Sequence, residues 1–319
     1  MCETVYIVIP CFNEEEILRE TAKQIYNKVS TIVERGLISE NSKVLFVNDG
    51  STDGTWDIIR QLHSENSLFE GISLAHNSGE QNAYMAGMMT AKDKADFVVT
   101  MDADLQDDID AIDDMIAKYY EGNDIVYGVR ASRDNEPVFI RASTKAFYKL
   151  MERLGTELIP NHSQYRLMGR RALEALSLYE ERNLFLPALV PLMGFNSAVV
   201  YHGRKKRLAG KSKYSVKSLF RLAVEAITSF SLKPIRVILF LGILSFVLSV
   251  LIGVTVIIRL LSGSFDGWLL VLTCVWAVAG MVFISVGSVG EYIGRTYLES
   301  KRRPRYFITE TILKQGSEL

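Results

Sequence analysis

Residues 98–108 read VVTMDADLQDD, an apolar run that ends abruptly in carboxylates. The apolar part predicts a buried strand, and alternate residues of a strand point to the same face. We therefore expect Asp102 and Asp104 to converge on one point just beyond the strand end, with Gln106 continuing the alternation. Hard oxygen ligands at this spacing suit Mg²⁺ or Mn²⁺, above all when diphosphate oxygens complete the shell. The alternative is a solvated acidic turn in which an Asp caps the next helix.

Strand patterns and helix patterns alternate through the first part of the chain. Apolar and β-branched runs predict five strands, at Thr4–Ile9, Lys43–Val47, Gly71–Ala75, Phe97–Met101 and Ile125–Tyr127. Helical patterns fill the intervals between them. This alternation predicts the α/β class, an open and mostly parallel sheet with helices on both faces. In such sheets ligands bind outside the carboxyl ends of the strands.

Polar residues follow each of the first four predicted strands. They are Asn13 and Glu14, then Asp49 and Ser51, then Asn77 and Gly79, and finally Asp102 and Asp104. The carboxyl ends of parallel strands meet at one edge of a sheet, so these clusters predict a single polar site there. The sequence has neither a glycine-rich dinucleotide fingerprint nor a GxxxxGK[ST] loop, which argues against a nicotinamide cofactor and a P-loop NTPase.

The charge and cysteine content are informative about compartment and partners. The 319 residues carry a net charge of −1, but residues 201–224 hold eight Lys or Arg and no acid. Such a segment is a solvated surface, a nucleic-acid site or a segment attracted to anionic lipid; we expect the last, because apolar runs follow it. The three cysteines match no disulfide or metal spacing, which fits a reducing compartment. No signal peptide is predicted at the N-terminus.

Two long apolar runs, Ile235–Leu261 and Trp268–Ile293, each exceed the ~20 residues needed to cross a bilayer. The short link between them predicts an antiparallel transmembrane hairpin. Basic residues flank both outer ends, so both ends are expected on the cytoplasmic side of the cell membrane. The predicted organisation is a cytosolic catalytic domain at 1–200, a basic juxtamembrane segment at 201–234, the hairpin at 235–294 and a cytosolic tail at 295–319.

The region between the fifth strand and the basic segment is less regular. We predict helices at Ile140–Leu154 and Arg170–Tyr179 and a last strand at Val199–Tyr201. The apolar stretch Phe185–Phe195 fits either the core or a contact with the membrane surface. Residues from Tyr306 onward predict no element.

Six motifs together resemble family 2 glycosyltransferases of the polyprenyl-phosphate type, which include bactoprenol glucosyltransferases and dolichyl-phosphate mannose synthases. They are PCFNEE at 10–15, VNDGS at 47–51, NSG at 77–79, DADLQD at 102–107, YRLM at 165–168 and RLAGKSKY at 207–214. They occur in order along nearly the whole chain, and the paired apolar runs resemble the bactoprenol branch. The resemblance implies a GT-A-type fold.

The resemblance also implies roles for particular residues. Nucleotide binding falls to Pro10, Asn13, Glu14, Asp49, Ser51 and Asp102, with Asp49 accepting a hydrogen bond from the base or ribose. The divalent metal falls to Asp102, Asp104 and Gln106. The phosphate of the lipid acceptor falls to Arg130, Arg141, Arg166, Arg207 and Lys213. Catalysis is expected to depend on Asp102, Asp104, Arg130 and Arg166.

The activity implied is inverting transfer of glucose or N-acetylglucosamine from a UDP-sugar to undecaprenyl phosphate. The product would be a polyprenyl-phosphate sugar for cell-envelope glycosylation. The partners implied are the nucleotide sugar, the polyprenyl phosphate, membrane lipids and a second copy of the chain in a homo-oligomer, with no nucleic acid. Two alternatives remain: a transferase that extends a lipid-linked saccharide, and a catalytically degenerate membrane scaffold.

One position departs from the family pattern. Many bacterial members carry an Asp, proposed as a general base, where this chain has Gln164, which cannot take a proton. Either the base has moved, with His162 as the nearest titratable residue, or no base is needed. We expect the second, because a phosphate monoester with a second pKa near ~6 is already largely ionised at pH 7.

Overall fold

The computed structural model describes residues 2–131, 159, 162–181, 185–203 and 268–313. The chain divides into two compact units. One comprises residues 1–152, 157–215 and 303–319, and the other comprises residues 153–156 and 216–302.

The described part of the first unit contains five strands that alternate with four helices, followed by three further strands and two short helices. The strands are β1 Val5–Cys11, β2 Lys43–Asn48, β3 Phe69–Leu74, β4 Phe97–Thr100, β5 Ile125–Arg130, β6 His162–Gly169, β7 Ser197–His202 and β8 Ile308–Ile312. The helices are α1 Leu18–Glu34, α2 Thr55–Glu65, α3 Glu80–Ala91, α4 Ala111–Tyr120, α5 Arg170–Ser177 and α6 Leu186–Leu192. The five strands predicted in the first part of the chain are confirmed, with ends that agree to within three residues.

Within the described residues, the strands form one eight-stranded sheet in the order β7-β5-β6-β4-β1-β2-β3-β8. β1 pairs in parallel with β2 and β4, β2 with β3, and β5 with β7. β6 runs antiparallel between β4 and β5, and β8 runs antiparallel along β3. Helices α1, α2 and α4 pack on one face, and α3, α5 and α6 on the other. The sheet is therefore mixed and covered on both faces, like that of a GT-A fold.

Two strands were not predicted from the sequence. β6 is buried from Gln164 to Met168, so it lacks the alternation of polar and apolar residues that marks a strand with one solvated face. β8 is a short, largely exposed edge strand in the segment expected to be a tail, and its pairing with β3 comes from the opposite end of the chain. The stretch Phe185–Phe195 contains α6, of which Leu186, Leu189 and Val190 pack in the core while Leu192 is exposed.

The described part of the second unit is one long helix, α7, Trp268–Ser300. α7 contains the whole of the predicted second span, Trp268–Ile293, but within the part of the chain that the structure describes no helix is long and apolar enough to cross a membrane. The predicted span at 235–261, the predicted helix at 140–154 and nearly all of the basic segment lie outside the described residues.

Candidate active site

A cavity of about 290 Å³ lies at the carboxyl ends of β1, β2 and β4. Its wall is formed by residues that follow these strands and by the start of α3: Pro10, Cys11, Phe12, Glu14, Asp49, Asn77, Glu80, Asp102, Ala103 and Asp104. All four polar clusters predicted to meet at one edge of the sheet contribute to it. Four of the residues predicted to bind the nucleotide, Pro10, Glu14, Asp49 and Asp102, line it directly.

Asn13 and Ser51, also predicted to bind the nucleotide, are not among the lining residues. They join the loops that follow β1 and β2. The backbone N–H of Asn13 donates to Oγ of Ser51 at 3.0 Å, and Oδ1 of Asn13 accepts from the N–H of Thr52 at 2.9 Å. Asn13 adopts a φ of 53°, a left-handed conformation that Asn tolerates better than most residues. In the structure these two residues therefore fix the two loops to each other beside the cavity.

Asp49 connects the end of β2 to the loop before α3. Its Oδ1 accepts from the N–H of Ser78 at 2.7 Å and its Oδ2 from the N–H of Gly79 at 3.1 Å. Burial raises the pKa of this carboxyl, and the two backbone hydrogen bonds act against that rise. Asp49 therefore shapes the cavity wall with both oxygens. Its contact with the base or ribose stays a prediction.

Asp102 and Asp104 both line the cavity, but strand alternation is not what brings them there, so that part of the prediction is wrong. β4 ends at Thr100, so strand alternation does not extend to either carboxylate. A turn follows instead, in which Leu105 has a φ of 55°. The same turn keeps Gln106 out of the cavity lining. Its backbone N–H donates to Oδ1 of Asp104 at 3.1 Å.

Negative charge accumulates at this turn. The Tyr84 hydroxyl donates a hydrogen bond of 2.5 Å to Oδ1 of Asp102. Burial, together with the charges of Asp107 and Asp104, raises the pKa of Asp102 to about 6; the Tyr84 hydrogen bond and Arg130 act in the opposite direction. Carboxylates crowded in this way favour a bound cation that offsets their repulsion.

The donor set at this turn fits a magnesium-type ion. Within the described ranges, no cluster of three His, Cys, Asp or Glu side chains forms a complete metal site. Mg²⁺ is commonly held by only one or two protein carboxylates, with substrate phosphates and water completing the octahedron. Asp102 and Asp104 supply such a pair. The pair suits an ion that arrives with, or is completed by, a diphosphate.

Arg130, predicted to contact the acceptor phosphate, lies at the end of β5 behind the acidic turn. Its Nη2 is 3.6 Å from Oδ1 of Asp107, and Nε2 of His202 is 3.9 Å from the same oxygen. Burial lowers the pKa of His202, which favours its neutral form. Arg130 is not among the residues that line the cavity; within the described part of the chain it forms an ion pair with Asp107 instead.

Arg166 is almost completely buried, with 1% of its surface exposed. Its guanidinium donates to the carbonyl oxygen of Leu186 at 3.4 Å and to Oε1 of Gln164. Burial lowers its pKa to about 10, so it remains a cation at neutral pH. Arg141, Arg207 and Lys213, together with the side chain of His162, lie outside the described residues.

Sequence reasoning missed two residues of the site, Tyr84 and Glu80. Both belong to α3, where Glu80 begins the helix and lines the cavity. Tyr84 lies among alanines and methionines that indicate a core helix, so the sequence pattern does not predict that its hydroxyl reaches the site. The signal available was Gly87 in the same helix. A glycine inside a helix indicates close packing against the sheet, which brings the neighbouring side chains to the strand ends.

Comparison with known proteins places these observations in a family. The family model described as "Glycosyl transferase family 2" matches residues 6–177. The uncharacterized glycosyltransferase YkoT of Bacillus subtilis (strain 168) is 46% identical over 303 residues, which cover 95% of this chain and 90% of that protein. The bactoprenol glucosyl transferase of Shigella phage SfV is 36% identical over 307 residues, covering 95% of this chain and 97% of its own.

Among solved structures, glucosyl-3-phosphoglycerate synthase from Mycobacterium tuberculosis matches 71% of this chain and 78% of its own chain. The sequence identity is 18% and the TM-score is 0.45. A likeness of this degree says nothing about substrate or metal.

Proposed function

Since the chain belongs to glycosyl transferase family 2 and is a glycosyltransferase, we propose that it transfers glucose or N-acetylglucosamine from a UDP-sugar to undecaprenyl phosphate. The observation that carries this proposal is the cavity where Asp102 and Asp104 meet the loops after β1 and β2. The name of the phage relative, bactoprenol glucosyl transferase, supports a polyprenyl acceptor, since the two chains align over nearly their full lengths.

The donor enters the cavity with its diphosphate toward the acidic turn. Asp102 and Asp104 would hold a Mg²⁺ or Mn²⁺ ion there, and when bound it offsets the charge that develops on the departing nucleoside diphosphate. The protein prepares this geometry in advance, because the backbone around both carboxylates is fixed by hydrogen bonds. The N–H of Gln106 holds Asp104, and the Thr21 hydroxyl holds the carbonyl of Ala103 between them.

The acceptor phosphate acts as the nucleophile. One of its oxygens forms a bond to the anomeric carbon while the bond from that carbon to the diphosphate oxygen breaks, which inverts the configuration. A phosphate monoester with a second pKa near ~6 brings its own negative charge at pH 7, so no proton must be removed. Gln164 fits this scheme because its amide accepts a hydrogen bond from Arg166 and takes no proton. Correct placement of the two reactants supplies most of the rate acceleration.

We further propose that the catalytic domain lies at the cytoplasmic face of the cell membrane. The support is in the sequence: the apolar runs 235–261 and 268–293, and the basic segment before them, which suits anionic lipid or a lipid phosphate. Extraction tests this proposal. The full chain should stay with membranes after washes with high salt and alkaline carbonate and should be released by detergent. Release by salt alone would contradict the hairpin.

The transfer itself is tested with the purified full-length chain, Mg²⁺ or Mn²⁺, a panel of UDP- and GDP-sugars and undecaprenyl phosphate. We expect one lipid product whose mass equals the acceptor plus one hexosyl or N-acetylhexosaminyl group, and no product with undecaprenol, which lacks the phosphate. Asp104→Asn should abolish the metal-dependent transfer. Activity retained in that variant would contradict the metal assignment.

The same assay separates the alternatives. Transfer to a lipid-linked saccharide but not to undecaprenyl phosphate would indicate an extending transferase. Neither transfer nor hydrolysis of any radiolabelled nucleotide sugar would indicate a scaffold.

A further inference from the structure

Tyr84 occupies an unusual position for a buried tyrosine. It lies in the middle of α3 with 1% of its surface exposed, and it ranks among the largest fully buried side chains of the described chain. Its hydroxyl does not reach solvent. It donates to Oδ1 of Asp102 at 2.5 Å, and so connects a core helix to a carboxylate of the cavity wall.

Close packing of α3 on the sheet makes this contact possible. A Cβ added at Gly87 would lie 2.3 Å from Cγ1 of Val8 and 2.8 Å from Cγ2 of Val47, so only glycine allows the helix this near to β1 and β2. Tyr84 precedes Gly87 by three residues, which places it on the same side of the helix. The position of the hydroxyl is thereby set by the sheet itself.

The hydrogen bond has a defined consequence for Asp102. Hydrogen bonds to ionised acceptors are short and strong, and a phenol held rigidly in the core fixes the direction from which Oδ1 is engaged. The carboxylate thus loses its freedom to rotate, and Oδ2 becomes the oxygen that remains for a cation. Outer partners of this kind orient the ligands of metal sites, and their removal typically lowers metal affinity by about 10- to 100-fold.

We propose that Tyr84 is a positioning residue, which holds the Asp102 carboxylate in the orientation that binds the divalent ion of the donor complex. The proposal rests on the proposed function only in taking Asp102 as a metal ligand. It adds Tyr84, a core residue of α3, to the residues of the acidic turn that would hold the metal ion.

The test measures binding of Mn²⁺ alone to the purified full-length chain, by electron paramagnetic resonance of the free ion during titration with MnCl₂. Tyr84→Phe removes only the hydroxyl and keeps the ring that fills the core. We expect its Mn²⁺ dissociation constant to rise by about tenfold or more. Because neither sugar nor lipid is present, this result does not depend on which substrates the enzyme uses.

The matched control is Tyr6→Phe. Tyr6 is also buried and its hydroxyl bonds to a carboxylate, that of Glu70, but it lies near the start of β1, at the opposite end of the strand from the cavity. We expect its Mn²⁺ affinity to stay within about twofold of the unaltered chain. Unchanged affinity in Tyr84→Phe, or an equal loss in both variants, would overturn the proposal.

A second variant tests the same proposal in case Tyr84→Phe does not fold. Gly87→Ala must move α3 outward by pushing against Val8, which lengthens the Tyr84–Asp102 hydrogen bond while both side chains remain. A folded Gly87→Ala chain should bind Mn²⁺ more weakly, by about tenfold. Affinity equal to that of the unaltered chain would contradict the positioning role.

Discussion

The hydroxyl of Thr21, in α1, donates a hydrogen bond of 2.7 Å to the carbonyl oxygen of Ala103, the residue between the two predicted metal ligands. Thr21 is fully buried, and its partner is 82 positions away in the chain. A carbonyl that faces the interior must be paired, since an unpaired buried acceptor costs about 1–3 kcal/mol. The acidic turn is therefore anchored by α1, a helix that does not contribute to the cavity wall.

Thr21→Val should lower the free energy of unfolding by about 1–3 kcal/mol, because the shape is kept while the Ala103 carbonyl loses its donor. Chemical denaturation measures this change. We also expect a higher Mn²⁺ concentration for half-maximal transfer, since the turn carries Asp102 and Asp104. Thr21→Ser, which retains the hydroxyl, is the control and should resemble the unaltered chain in both measurements. Equal stability of Thr21→Val and Thr21→Ser would show that the hydrogen bond contributes nothing.

Gly50→Ala should be strongly destabilising because of a steric clash, and comparison with Gly36→Ala separates that clash from backbone strain. Gly50 has a φ of +64°, and a Cβ there would lie 2.5 Å from the backbone N of Asn77 and the carbonyl carbon of His76. Gly36 has nearly the same φ, +67°, but open space around it. Gly36→Ala should cost the conformational strain alone, about 1–2 kcal/mol. Gly50→Ala should cost measurably more and weaken nucleotide binding, as thermal unfolding and UDP titration would report; equal losses in the two variants would contradict this.

The first five strands could be predicted because each is an apolar or β-branched run, and the first four are followed by clusters of polar residues. Their parallel order followed from the helices between them. The cavity could be located for the same reason, since Asp49 and Asp102 follow β2 and β4, the two strands on either side of β1. β6 and β8 could not be predicted. β6 is buried on both faces and shows no periodicity, while β8 depends on pairing with β3 from the far end of the chain.

The individual roles were harder to predict than the location. Asn13 and Ser51 carry the family motif, yet they bond to each other's loops, which no linear pattern reveals. Arg166 has the residue type of a phosphate ligand, but its place on the buried strand β6 determines its neighbours. Tyr84 was missed because a tyrosine in an apolar helix is ordinarily part of the core.

The pKa of Asp102, raised to about 6 by burial and by Asp107 and Asp104, implies a pH-dependent stability in the absence of divalent ions. The folded chain binds this proton more tightly than the unfolded chain, whose carboxyl has a pKa of about 3.8. The stabilising contribution is therefore complete below about pH 4 and is lost as the pH rises through about 6. Asp102→Asn removes the charge but keeps an oxygen for the Tyr84 hydroxyl.

We accordingly expect metal-free Asp102→Asn to be more stable than the unaltered chain by about 1–3 kcal/mol at pH 7.5, and to show little difference at pH 4. Denaturation curves at both pH values, recorded with a chelator, measure the effect. Asp93→Asn alters an exposed carboxylate and should change stability little at either pH. A loss of stability in Asp102→Asn at pH 7.5 would show that charge repulsion does not dominate at this turn.

Gln164→Ala decides whether the reaction needs a base from this position. A general base typically contributes about 10²- to 10⁴-fold in rate, so we expect kcat to fall by less than about tenfold if the ionised acceptor needs none. The stability should fall by about 1–3 kcal/mol, because the buried guanidinium of Arg166 loses the acceptor Oε1. Gln164→Glu supplies an ionisable group and should bring no gain in kcat. A drop of a thousandfold in Gln164→Ala with the fold intact, or a rise in kcat in Gln164→Glu, would show instead that this position takes part in activating the acceptor.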